Sequence, residues 1–284
     1  MVIVLAWAVA AAWPALGQWD VRRVLPGALG TIIGWVGMVF LLGCGWAGAL
    51  RAWSGVRLSL AQWAPMQAAA WIGRYLPGKL GLLAGKMQIC EQGIGWKLVT
   101  GSVISEQVAF IASGLMLSAL AIPLWLPLLP IPVVRHHDAL LGALFLPMVA
   151  VAILGAWIAG RRLPNAKRTW GVRLLLWSTL AHVAAGLGFH VLLASLLDSP
   201  PSVLESIGLL AAAHTIGILA IFAPAGLGVR EMVITAALAP QLGWPEAVAI
   251  SALQRGLVVI GDLCIAPVAL AIRRGPAHGK APGP

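Results

Sequence analysis

Cationic side chains lie beside two short segments of this sequence that contain proline and glycine. Arg74, Lys79 and Lys86 surround the first segment, and Arg230 with Glu231 follows the second. A guanidinium group offers a planar fork of donors that fits phosphate, whereas a lysine ammonium acts as a point charge. If the fold brings the two segments together, these residues are predicted to bind an anionic group. The alternative is that the cations extend to the nearest water as single side chains.

Three further ionisable residues interrupt apolar stretches. Glu106 and Arg255 lie at similar distances from the starts of their stretches, and Asp262 is seven residues beyond Arg255, on nearly the same helical face. A central contact is therefore predicted among four residues: Glu106, Gln107, Gln254 and Arg255. Arg255 would bind the anion while the carboxylates Glu106 and Asp262 balance charge or carry a proton. A purely structural ion pair is the alternative.

The elements that position these residues must lie in a membrane. Of the 284 residues, 60% are hydrophobic and 10% are charged, and the mean hydropathy is +0.93. A soluble domain has about 25% charged residues. The net charge of +10 is spread between apolar stretches, which favours membrane orientation and anionic lipid over nucleic acid. The cysteines and histidines lack metal-site spacing, so no metal or cofactor is predicted.

The apolar stretches predict an all-α, polytopic integral membrane protein. A helix needs about 20 mostly apolar residues to cross the hydrocarbon core. Seven to eight membrane segments are predicted, together with two shorter, interrupted ones at about 58–74 and 80–95. Residues 1–19 are interpreted as a span rather than a signal peptide, because they lack a basic start. The long stretches are 1–19, 24–50, 97–125, 139–160, 174–197, 206–229 and 245–272.

Loop charges predict the orientation. The connection with Arg161, Arg162 and Lys167 is strongly basic, as is the tail at 273–284, so both are expected to be cytoplasmic. Both termini then lie in the cytoplasm, and the chain forms a single transmembrane domain over 1–284. No extramembrane stretch is long enough to fold as a soluble catalytic domain.

An internal repeat relates the two halves. The segments 75–81 and 222–228 both read aromatic-x-Pro-small-x-Leu-Gly, 147 residues apart, and the same offset pairs Gln107 with Gln254. With the orientation above, the halves at approximately 58–125 and 205–272 run in opposite directions, as inverted repeats. The predicted helix breaks are Pro77, Gly78, Gly81, Pro224, Gly226 and Gly228.

These breaks have a physical meaning in lipid. Proline removes a backbone donor and glycine permits tight reversal. Every backbone group must nevertheless be satisfied there, so irregular backbone persists only where protein or a watery cavity covers it. Interrupted segments at matching positions of two halves point to a transporter binding site. The alternative is that both motifs only kink ordinary membrane helices.

The motifs resemble a known family. The sequence Arg74-Tyr-Leu-Pro-Gly-Lys-Leu-Gly81, then Lys86, Gly93 and Glu106, and later 223–231 (Ala-Pro-Ala-Gly-Leu-Gly-Val-Arg-Glu), is similar to the transmembrane region of the lysylphosphatidylglycerol synthase/flippase family. The resemblance covers about residues 20 to 272. Family members commonly have Pro-Gly-Gly-Leu-Gly followed by Glu in the second motif, and Ala225 replaces the first of those glycines here.

The resemblance implies a lipid-translocating fold with re-entrant helices, in which Arg74, Lys79, Arg230 and Glu231 are functional positions. Stand-alone members are implicated in moving hopanoids, aminoacyl-phospholipids or polyprenyl-linked sugars. Bifunctional members add a cytosolic aminoacyl-transferase domain. Because twelve residues follow Ile272 in this sequence, that activity is not expected.

The expected function is therefore a lipid flippase, not an enzyme, in the plasma (inner) membrane of a bacterium. An anionic phospholipid or a polyprenyl-phosphate-linked lipid would bind in a basic cavity between the inverted repeats. No nucleic-acid partner is expected, and formation of a homo-oligomer stays open. Two alternatives are a membrane-embedded lipid-modifying transferase and a non-transporting regulatory subunit. Metal-dependent activity would indicate the first, and a stoichiometric partner the second.

Overall fold

A computed structural model describes residues 20–75, 80–121, 165–220 and 223–274. Every regular element in these ranges is helical. Several predictions lie outside them: the spans at 1–19 and 139–160, most of the tail, and the positions Pro77, Gly78 and Lys79. The α-helices are α1 (Val21–Ser54), α2 (Leu60–Gly73), α3 (Leu80–Met87), α4 (Trp96–Ser118), α5 (Asn165–Leu196), α6 (Val203–Leu219), α7 (Val229–Leu242) and α8 (Trp244–Arg274).

Four of the described helices are long and apolar enough to cross a membrane, as expected for an integral membrane protein. They are Val21–Ser54, Trp96–Ala121, Thr169–Leu196 and Trp244–Ala271, and they contain 26 to 34 residues each. Helix α6 is also apolar but has 17 residues. The predicted number of seven to eight segments includes stretches beyond the described residues.

Capping residues set several helix ends. Asp20 accepts a hydrogen bond from the Arg22 backbone N–H (3.0 Å) at the start of α1. At the start of α6, the Ser202 N–H donates to Glu205 Oε2 (2.7 Å), which satisfies a backbone group that the helix leaves unpaired. Gly55 ends α1 with a φ of 77°, a conformation that favours glycine.

Helices α1 and α5 pack side by side in antiparallel directions. Near the start of α1, the Thr31 hydroxyl donates to the Gly188 carbonyl oxygen (3.2 Å) near the end of α5. Near the end of α1, Gly48 faces Trp170 near the start of α5. The contact uses small residues, which let membrane helices approach closely. Helices α2, α4 and α8 pack against α1, and α4 and α6 pack against α5.

The helices that follow α1 and α5 repeat the same order. In each half, a helix of moderate length (α2 or α6) ends at a break, and two helices follow (α3 and α4, or α7 and α8). Helix α8 packs against α2, and α4 packs against α6. Trp35 of α1 lies against Gly261 of α8, and His182 of α5 lies against Gly114 of α4. Both members of the second pair are 147 positions from their counterparts in the first.

The break between α6 and α7 holds the second proline-glycine motif. A 3₁₀ turn spans Pro224–Gly226, and φ is positive at Ala225 (52°), Gly226 (70°) and Gly228 (81°). Left-handed backbone of this kind suits glycine, so Ala225 carries a steric cost. The chain reverses here without continuing the helix.

The break between α2 and α3 brings two glycines together. A Cβ atom added at Gly73 would lie 2.7 Å from the Cα of Gly81, so the two backbones are in direct contact. Glycine is therefore required at both positions, which places the start of α3 against the end of α2.

Candidate functional site

Three arginines are buried near the two breaks. Arg74 follows α2, Arg230 is the second residue of α7, and Arg255 is in α8; they are 4%, 9% and 2% exposed. We refer to these three residues as the arginine cluster. Buried arginines are rare unless they are paired, so the surroundings of each define the chemistry of the site.

Arg74 contacts a carboxylate of the opposite half. Its Nη2 donates a hydrogen bond to Asp262 Oδ2 (2.6 Å). The Tyr75 hydroxyl donates to the same oxygen, and Trp35 Nε1 donates to Oδ1 (2.7 Å). A guanidinium, a phenol and an indole therefore hold Asp262, and these groups come from the end of α2 and from α1.

Aromatic rings surround the Arg74 guanidinium. Its central carbon lies 4.9 Å from the Trp35 ring centroid, 4.8 Å from that of Trp71 and 5.1 Å from that of Tyr75. The faces of aromatic rings attract a cation electrostatically, and the attraction is stronger when the cation is removed from water. In the described part of the chain, the Nε and Nη1 atoms of Arg74 have no hydrogen-bond acceptor.

Arg255 lies beside the other carboxylate of the site. Its Nε is 3.4 Å from Glu231 Oε1, close enough for an ion pair but without hydrogen-bond geometry. Glu231 Oε2 accepts from the Gly228 N–H (2.7 Å) and so caps α7. Within the described residues, Arg255 Nε and Nη2 and Arg230 Nε also lack an acceptor.

Two glycines make room for Arg230. A Cβ atom at Gly217 would lie 2.6 Å from Arg230 Cγ, and one at Gly226 would lie 2.9 Å from its Nε. The side chain thus runs between the backbone of α6 and that of the second break. This contact explains a requirement for glycine at Gly217 that local sequence patterns do not reveal.

Two small cavities border the arginine cluster. The first, of about 30 Å³, is lined by Arg74, Gln107, Phe110 and Arg230, among others. The second, of about 10 Å³, is lined by His214, Arg230, Gln254 and Arg255, among others. A water molecule needs about 10–15 Å³ measured in this way, so the first cavity has room for about two waters and the second for about one. Arg230 lines both.

Lys86 and Glu106 form a separate ion pair. Lys86 Nζ contacts Glu106 Oε2, and both side chains are almost fully buried. The ammonium also lies 4.7 Å from the Trp46 ring centroid, and Trp46 Nε1 donates to Ser102 Oγ (3.0 Å). This pair joins α3 to α4.

The predicted central contact among Glu106, Gln107, Gln254 and Arg255 is wrong. Glu106 contacts Lys86, and Arg255 contacts Glu231. Gln107 and Gln254 line different cavities. Similar depth along two helices does not determine which faces meet, and α3 places an ammonium nearer to Glu106 than Arg255 lies. Asp262, predicted on nearly the same helical face as Arg255, contacts Arg74.

The remaining predicted residues divide into two groups. The structure places Arg74, Arg230 and Arg255 on the cavities, and it pairs Asp262 with Arg74 and Glu231 with Arg255. Lys79 lies outside the described residues. The sequence analysis does not predict Trp35 as a site residue. The signal for it is weak, because it is one tryptophan in an apolar helix that the offset of 147 pairs with His182.

Two of the described histidines lie close together. His182 and His214 are buried with ring centroids 5.8 Å apart, and His182 Nε2 lies 3.1 Å from the Phe110 carbonyl oxygen. Among the described residues, no group of three or more His, Cys, Asp or Glu side chains is placed to hold a metal ion.

No protein-family model matches this chain, and no curated protein matches it.

Proposed function

We propose that this protein is a membrane lipid translocator that moves a phosphate-bearing lipid or lipid-linked sugar between leaflets. The arginine cluster carries the proposal. Charges inside a membrane protein are costly and usually serve a ligand, a partner or an ion pathway. Five guanidinium nitrogens of these three buried residues lack an acceptor in the described part. A phosphate group would supply oxygens for them in the planar, forked geometry that arginine favours.

The arrangement of helices supports inverted repeats around this cluster. Helices α1 and α5 are antiparallel, and each is followed by a broken helix and two further helices. The crossed packing of α8 on α2 and α4 on α6 is the pattern that a two-fold axis in the membrane plane produces. With the undescribed stretches at 1–19 and 139–160, the chain would have seven to eight membrane segments. Both breaks then lie at the interface of the repeats, where transporters bind substrate.

The small cavities support interpreting this conformation as a closed state of the proposed translocator. A cavity of about 30 Å³ holds about two waters, which is less than a lipid head group needs. Transport therefore requires one half to move against the other and expose the arginines to each leaflet in turn. The head group would contact the guanidinium groups while its tails remain in the bilayer.

The carboxylates of the site favour transport over transfer chemistry. Asp262 accepts hydrogen bonds on both oxygens, and Glu231 caps α7 beside Arg255. A general base needs access to the proton that it removes. Both carboxylates instead contact groups of the protein.

Reconstitution tests the proposal. Purified protein in liposomes should move fluorescent anionic lipids between leaflets, measured by dithionite quenching of the outer leaflet. Arg255→Gln should reduce the rate at least tenfold, and Arg255→Lys should retain more activity than Gln because the charge remains. Exposed Arg51 provides the matched control: Arg51→Gln should retain the wild-type rate.

Two outcomes contradict the proposal. One is wild-type protein, folded by size exclusion and circular dichroism, that moves none of several phospholipids and polyprenyl-phosphate-linked lipids. The other is Arg255→Gln that folds and transports at the same rate as Arg51→Gln, which would remove the arginine cluster from the pathway.

A further inference from the structure

We propose that the arginine cluster selects a ligand with one negative charge, which identifies the substrate class as a phosphodiester rather than a phosphomonoester or a diphosphate. The inference rests on the proposed function and narrows it. It follows from the number of charges that the fold places around the cavities.

The described charges of the site sum to one positive charge. Arg74, Arg230 and Arg255 contribute three positive charges, and Glu231 and Asp262 contribute two negative charges. The other deeply buried pair, Lys86 with Glu106, is neutral as a unit and lies between α3 and α4.

A single excess charge favours a single opposite charge. Around buried groups the dielectric constant is low, so an uncompensated charge is far more costly than in water. A phosphodiester carries one negative charge and brings the site to neutrality. A diphosphate, or a doubly ionised phosphomonoester, leaves at least one negative charge uncompensated in a cavity without additional described cations.

The unpaired donors agree with this count. Arg74 offers Nε and Nη1, Arg255 offers Nε and Nη2, and Arg230 offers Nε. Arg74 lines the first cavity, Arg255 lines the second and Arg230 lines both, so a phosphate group beside Arg230 lies between the other two guanidinium groups. The two non-bridging oxygens of a phosphodiester are acceptors for such donors, and Asp262 keeps the remaining Nη2 of Arg74 occupied.

Two kinds of lipid carry this chemistry. A diacyl phosphatidylglycerol and a polyprenyl phosphoryl sugar both contain a singly charged phosphodiester. The test therefore measures binding by native mass spectrometry for each of these, for phosphatidic acid and for a polyprenyl diphosphate. The test is made at about pH 8, where a phosphomonoester with a second pKa of about 6 is mostly doubly charged.

Wild-type protein should bind at least one phosphodiester lipid at least tenfold more tightly than phosphatidic acid and the diphosphate. The stronger of the two phosphodiester arms identifies the source, diacyl or polyprenyl. Equal or tighter binding of the doubly charged lipids would overturn the inference.

Charge variants make the test specific. Asp262→Asn raises the sum to two positive charges and should shift the preference toward phosphatidic acid by at least tenfold. Glu231→Gln makes the same change from a different helix, so it serves as a second variant if Asp262→Asn fails to fold. Exposed Glu246 gives the control, and Glu246→Gln should retain the wild-type preference. An unchanged preference in both site variants would overturn the inference.

Transport data separate this inference from the proposed function. If wild-type protein prefers singly charged lipids but moves none, the translocator proposal fails. If it moves lipids regardless of their charge, the translocator proposal stands and the charge selection is wrong.

Discussion

The Arg74 guanidinium donates to the Asp262 carboxylate at 2.6 Å, although the two residues are 188 positions apart. Arg74 belongs to the first half of the chain and Asp262 to the second. Their contact lies where Trp35 of α1 also meets α8. The two halves are therefore joined, at the centre of the proposed substrate pathway, by a charged hydrogen bond rather than by apolar packing alone.

Removing one partner of this pair should destabilise the protein more than removing both. Arg74→Gln leaves the Asp262 carboxylate buried without its cation, and breaking a buried pair from one side costs about 3–5 kcal/mol. The double variant Arg74→Gln/Asp262→Asn removes both charges and should recover part of that loss. Thermal unfolding in detergent measures the series. If the double variant loses as much stability as the two single variants together, or more, the direct pairing of Arg74 with Asp262 is contradicted.

Gly217 is predicted to position Arg230. Gly217→Ala places a methyl group where Arg230 Cγ lies, so the guanidinium must shift away from the cavities. Affinity for anionic lipid should fall at least fivefold with little loss of helicity. A methyl group at Gly37 of α1 would have no atom within 4 Å, so Gly37→Ala is the matched control and should bind normally. Equal affinity of the two variants would show that Arg230 does not bind the lipid.

Replacing Ala225 with glycine should increase the stability of the protein. Its φ of 52° lies in the left-handed region, where an L-residue costs about 1–2 kcal/mol and glycine does not. Ala225→Gly should therefore raise thermal stability, by about 1 kcal/mol after the entropy cost of glycine is subtracted. Ala239→Gly, within helix α7, should lower it by about 0.5–1 kcal/mol. A decrease in stability for Ala225→Gly would contradict the strained geometry of the break.

Lys86 and Glu106 are predicted to stabilise the fold without binding the lipid. Lys86→Met and Glu106→Gln should each destabilise the protein, because each leaves the other charge buried alone. The double variant should regain stability and transport lipid at a rate near that of wild type. If the double variant folds but does not transport, Lys86 belongs to the substrate pathway.

Local sequence patterns predict the second break but not which side chains of the site pair with each other. Pro224, Gly226 and Gly228 marked a break because their backbone properties are local. The sequence does not predict which cation pairs with Glu106, because the pairing depends on the rotation of α4 relative to α3 and α8. Trp35 was missed for a related reason: an indole in an apolar helix resembles ordinary packing until its N–H meets a carboxylate.

The predicted repeat depends on few positions. Gly114 and Gly261, paired by the offset of 147, each receive a ring from the helix that begins the opposite half. The rings differ, His182 in one case and Trp35 in the other, so identity alone gives little signal there. Both positions keep a glycine that leaves room for a ring, but the ring is an imidazole in one case and an indole in the other.

The position of Arg230 has an electrical consequence for the cell. Its guanidinium lines both cavities, so a chain of water molecules that connects them would pass a fixed positive charge. Such a charge repels hydronium and metal cations, as arginine does in water-selective pores. A bilayer holding this protein at rest should accordingly sustain its proton gradient and its voltage.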